Sequence, residues 1–286
     1  MTPPRSVVPR LRGANRILLA GYAVLAAAVA GYALTFGSPA PATTVAQALG
    51  SFTAATAGAI CLGGVVLILI TARPDDRGVI DPAAFRAHRL VEKVSLVWMA
   101  TALVMVIVQV AADAGLALPQ VFSTGRIGSI GNALSASPYA RAWVAVAICA
   151  AVIALGLRLT LRWDWHVPLV IPAIIGVVAF PINGNAGYGP DHDYATSSVM
   201  VFTVAISVLA GLKITSASAN PSGAANRTVQ VTAAIAGVVA LAYGAVLMVL
   251  LAGPPLTSGY GRLGLLMAAA LITCLLYTSP SPRDRS

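Results

Sequence analysis

Long apolar runs, separated by short polar segments, dominate the chain. A helix that crosses the hydrocarbon core needs about 20 mostly apolar residues. Eight runs approach or reach that length: 17–37, 52–72, 94–114, 142–160, 167–182, 194–213, 229–252 and 260–278. The fifth is short and holds Pro168, Pro172 and Pro181. Proline removes a backbone donor, so this span is expected to bend or break near its ends. The predicted fold class is all-α, a polytopic transmembrane helix bundle of about eight spans. Small residues predict how it packs: Ala233, Gly237, Ala240 and Gly244 share one face of the seventh span, and such faces let helix backbones approach closely.

Composition agrees with the pattern. Of 286 residues, 58% are hydrophobic and 9% charged, and the mean hydropathy is +0.85. Soluble domains carry roughly 25% charged residues, so the solvent of this chain is a lipid bilayer. The net charge of +9 changes the picture only through where it sits. Lys and Arg cluster in short loops beside apolar runs, which reads as topology rather than nucleic-acid binding. The tail 1–16 holds four, the loop before span three five, and the loops after spans four and six two each, thirteen on one side against three on the other. The positive-inside rule then places the N-terminus in the cytoplasm. The polar stretch NGNAGYGPDHDYAT (183–196), Asp113 and the Arg126 loop face outward. The first run is longer than the 7–15 residues of a signal peptide and is read as a retained helix.

The end of the chain departs from this logic. CLLYTSPSPRDRS passes from apolar helix straight to Ser, Pro and Arg. The string resembles translated sequencing-adapter read-through. Residues 273–286 are therefore expected to be non-native and the last span of the membrane domain, 17–272, to be truncated.

Ordinary catalytic signatures do not occur: GxSxG, HExxH and a Walker lysine loop are all missing from the sequence. No enzyme activity and no catalytic residue is expected. Cys61, Cys149 and Cys274 lie singly in apolar runs and read as packing residues. His88 and His166 fall in basic segments at span ends and His192 in the outer loop. None reads as well inside a span, so no haem is expected. RWDWH (162–166) reads as an interfacial aromatic anchor. The candidate metal cluster is His192 with Asp191 and Asp193. Thr101, Met105, Gln109 and Asp113 step by four along span three, and Met200 lies in span six. A copper path would need Asp113, Gln109, Met105 and Met200 to line one cavity near His192, since thioethers and imidazole suit copper.

Three stretches together resemble the copper-resistance protein D (CopD) family: ADAGLALPQVFS (112–123), NGNAGYGPDHDYATSS (183–198) and TSGYGRLGLLMAAALI (257–272). The resemblance is closest to the branch in which this membrane domain is fused to a CtaG-like cytochrome c oxidase assembly domain. It implies copper handling at a bacterial plasma membrane, by copper transport or, alternatively, as a non-transporting scaffold for respiratory copper enzymes. His192 and Asp193 carry over as outer-site residues, with Asp113, Tyr260 and Arg262 as framework positions. Asn185 and Phe202 stand where the resemblance would place histidines.

Overall fold

The computed structural model describes residues 8–34, 41–115, 127–187, 191–251, 256 and 258–277. Nine α-helices are present among them: α1 Val8–Leu34, α2 Pro41–Thr71, α3 Pro82–Asp113, α4 Ile127–Ala136, α5 Pro138–Leu159, α6 His166–Ala179, α7 His192–Ala219, α8 Gly223–Leu251 and α9 Gly259–Tyr277. The only β-pairing among the described residues is a single bridge between Val79 and Arg162.

Six segments are long and apolar enough to cross a bilayer: Pro41–Thr71, Pro82–Asp113, Pro138–Leu159, Trp163–Asn183, His192–Ala219 and Gly223–Leu251. The chain is thus a multi-pass membrane protein. The expected first and eighth spans correspond to shorter apolar helices, Ala20–Leu34 and Gly261–Thr273. α1 begins within the expected 1–16 tail, and α9 runs into the expected 273–286 tail, of which 278–286 lie outside the described residues.

Several helices start before their apolar runs because chain chemistry, not hydropathy, sets their ends. Asp81 caps α3 by accepting from the Ala84 amide at 3.3 Å, and Ser137 caps α5 by accepting from the Ala140 amide at 3.0 Å. Each is followed by proline in the first turn, where the missing N–H costs nothing. α6 ends at Ala179. Phe180 precedes Pro181, a context that disfavours further helix, and single turns of 3-10 helix follow over Pro181–Asn183 and Asn185–Gly187. The loop expected after span three instead contains α4.

α3 buries one seam. Ala84, His88, Val91, Ser95, Trp98, Ala102, Met105 and Gln109, at alternating steps of four and three, are all 6% exposed or less. This is the spacing of a helix packed lengthwise on its neighbours, here α2 and α5. α2 meets it with glycines. A Cβ at Gly64 would stand 2.3 Å from Val91, at Gly58 2.8 Å from Trp98, and at Gly50 2.0 Å from the Met105 sulfur. On another face α2 crosses α7 backbone to backbone, where a Cβ on Gly63 would lie 2.4 Å from the Gly211 carbonyl carbon. α8 packs on α7, with Ala233, Gly237 and Ala240 of the expected small-residue face buried.

Candidate functional site

The helix ends sort the polar groups into two clusters. Arg86 Nη2 donates to the Ala219 carbonyl at 2.8 Å, and Arg158 meets Glu92 at 3.3 Å. These contacts bring the start of α3 and the ends of α5 and α7 to one basic end. Asp113, Ser137, Gln47 and the start of α7 lie at the opposite end.

At that opposite end a hydrogen-bonded chain joins three helices. Gln109 Nε2 donates to Asp113 Oδ1 at 2.8 Å, and Ser137 Oγ donates to Asp113 Oδ2. Gln47 Nε2 of α2 donates to Gln109 Oε1 at 3.4 Å. Asp113, the last residue of α3, is exposed, whereas Gln109 and Ser137 are buried. Both carboxylate oxygens are therefore committed to donors from the protein interior. Asp113→Ala should cost about 1–2 kcal/mol, because a buried hydroxyl and a buried amide lose their acceptor. Asp113→Asn keeps one acceptor oxygen and should lose less. Denaturant unfolding in detergent checks this, and equal stability of all three proteins would refute it.

The other predicted residues do not converge on Asp113. His192 opens α7 and meets Asp193 at 3.1 Å, with both side chains more than half exposed. Asp191 precedes the helix, and its side chain makes no capping bond. Met105 faces Gly50 of α2, while Met200 is 40% exposed. Gln109 lines a cleft of about 620 Å³ that Met105, Asp113, Met200 and His192 do not line. Among the described residues, no three His, Cys, Asp or Glu side chains are grouped to hold a metal ion. Arg262 Nε donates to the Leu256 carbonyl at 3.0 Å. The side chains of Asn185, Tyr260 and Cys274 lie outside the described residues, as does Arg126.

Between the two ends the bundle is apolar. A larger cleft of about 780 Å³, lined by Tyr22, Trp98, Trp143 and Met267 among others, shares Leu25, Ser51, Phe52 and Phe180 with the Gln109 cleft.

The basic end corrects the reading of two histidines. His88 and His166 are each 1% exposed, and His88 Nδ1 lies 3.0 Å from His166 Nε2. His88 belongs to the buried seam of α3 rather than to a surface segment. His166 is brought to it by the loop that precedes α6. Trp163 donates its backbone N–H to Gly78 at 2.8 Å, Ile80 to Leu161 at 3.1 Å, and the Trp163 indole to Leu69 at 3.4 Å. Of the two tryptophans in the expected aromatic anchor, Trp165, 54% exposed, faces outward, while Trp163 is half-buried. Arg162 and Asp164 pair at 2.7 Å, and these hydrogen bonds hold the exposed guanidinium further above its ordinary pKa.

No family model and no solved structure matches this chain. It is similar to uncharacterized mycobacterial proteins. It is 43% identical over 244 residues to Mb0105 of Mycobacterium bovis and to MT0111 of Mycobacterium tuberculosis, covering 84% of this chain and 36% of each relative. Identity to ML1998 of Mycobacterium leprae is 41% over 286 residues, 95% of this chain and 42% of the relative. The chain thus spans less than half the length of the curated relatives it matches.

Proposed function

We propose that this chain is the membrane domain of a longer bacterial plasma-membrane protein that handles copper, by moving it across the membrane. Copper as the cargo comes from the resemblance to the CopD family. The observation that supports a transport role is the Gln47–Gln109–Asp113–Ser137 network. Polar and ionisable groups in membrane spans mark substrate pathways by default; Gln47 and Gln109 line the cleft, and Asp113, hydrogen-bonded to Gln109, is one of the positions the resemblance carries. With the basic end in the cytoplasm, as the positive-inside rule favours, this network and His192 face the outside.

A second reading is a membrane scaffold for assembling respiratory copper enzymes. A specific observation favours it: Met105 packs against Gly50 of α2 and does not line the Gln109 cleft, while Met200 is 40% exposed. More than half of each relative lies beyond this chain, which leaves room for the CtaG-like domain that the resemblance implies.

Copper accumulation by cells producing the full-length protein separates the two. Transport expects His192→Ala to lower accumulation with membrane insertion unchanged. If the variant accumulates copper as wild type does, His192 has no part in the mechanism; if cells producing the wild-type protein accumulate no more than cells lacking it, the transport role is lost. Reduced cytochrome c oxidase assembly in cells lacking the protein would then support the scaffold.

A further inference from the structure

Two buried imidazoles meet at the basic end, far from the outer cluster. A carbonyl oxygen only accepts, so the Arg162 carbonyl, 2.9 Å from His166 Nδ1, fixes the proton on that nitrogen. His166 Nε2 is then the lone-pair nitrogen, and it faces His88 Nδ1. A backbone carbonyl that holds the far N–H of a ring is how proteins orient metal-binding histidines.

We propose that His88 Nδ1 and His166 Nε2 form a two-coordinate site for Cu(I) as cargo at the cytoplasmic end of the bundle. This rests on the copper-handling reading above, but the choice of ion follows from the site. Zn(II) takes four ligands in structural sites, and Ca(II) and Mg(II) take oxygen donors. Here two neutral nitrogens converge, and no third His, Cys, Asp or Glu joins them among the described residues. The cost of burying an ion grows with the square of its charge, which favours a monovalent one. Local charge points the same way. Arg89 and Arg158 share Glu92, and Arg162 pairs with Asp164, which leaves one guanidinium in excess.

Binding needs no net proton loss. The proton that His88 Nδ1 donates in the pair moves to Nε2, and the ring stays neutral as Nδ1 ligates. Two collinear bonds of about 2 Å put the nitrogens about 4 Å apart, so the pair must open by roughly 1 Å. His166 stands in the first turn of α6, next to the 3-10 turn Trp163–Trp165, where a shift of that size moves a helix end and not a core. A recess of about 560 Å³ opens beside His88, lined also by Phe85, Glu92, Arg89, Arg158 and Arg162; His166 does not line it.

The test is Cu(I) titration of the purified chain in detergent under reducing conditions, in competition with a chromophoric Cu(I) chelator. One equivalent should be lost in His88→Gln and in His166→Gln. It should be retained in His88→Met, because a thioether is also a Cu(I) donor, so a merely misfolded variant is distinguished from a lost ligand. X-ray absorption of the loaded wild-type chain should show two nitrogen neighbours. Binding that survives both glutamine variants, or a first shell of sulfur, overturns the site and leaves the copper reading standing. A wild-type chain that binds no Cu(I) overturns the site and the copper reading together.

Discussion

Gly211→Ala is expected to lower stability by about 3 kcal/mol, although alanine is the better helix former by about 1 kcal/mol. The reason is the crossing of α2 and α7. A Cβ at position 211 would lie 1.9 Å from the Ala59 carbonyl oxygen and 2.8 Å from the Gly63 Cα. Both neighbours are backbone and cannot rotate away, so the two helices must separate. In a bilayer, helix association draws on close packing rather than on exclusion of water, so a lost crossing has little to replace it. Gly31 of α1 is the control, since nothing lies within 4 Å of a Cβ there, and Gly31→Ala should keep or raise stability, by up to about 1 kcal/mol. Reversible unfolding in detergent or bicelles reads both. Wild-type stability of Gly211→Ala would mean that the crossing is looser than described.

Trp98→Ala is expected to cost about 3–5 kcal/mol. The indole is 1% exposed and wedged between two glycines. A Cβ on Gly58 of α2 would meet it at 2.8 Å and one on Gly176 of α6 at 2.6 Å. Its removal unsupports three helices at once and enlarges the 780 Å³ cleft that it lines. Trp165→Ala, at a position 54% exposed, should change stability by no more than about 0.5 kcal/mol. Equal effects of the two substitutions would contradict the packing described for α3.

The helices were legible in the sequence because a span must be apolar along its whole length, which hydropathy registers directly. Their starts were legible too, in the pairs Asp81-Pro82 and Ser137-Pro138, but a hydropathy window does not weigh caps. The small-residue face on α8 could be read by period. The α2–α7 crossing could not, because Gly63 and Gly211 become partners only through tertiary packing.

The chemistry shows the same divide. Gln109 and Asp113 are one helical turn apart, so their contact follows from spacing alone. His88 and His166 are 78 positions apart in sequence, and the polar residues around each suggested a surface. The available signal was the period. His88 continues the steps of four and three that run from Ala84 to Gln109, which places it on the buried seam despite its Arg and Glu neighbours. Met105 lies on that seam as well, so it is directed into α2 and not toward an outer cavity. The exposure of Met200 depends on which face of α7 meets α2 and α8, and no local pattern states that.

The α2–α7 crossing also has a consequence in time. Gly63 leaves the ribosome with the second helix, but Gly211 follows about 150 residues later. At the usual pace of synthesis that is a delay on the order of 10 s. Until then the glycine face of α2 has no partner of its own shape and must be covered by lipid or by the insertion machinery. This close backbone crossing therefore forms only after α3 to α6 have been made, and those intervening helices have to enter the membrane without closing over it.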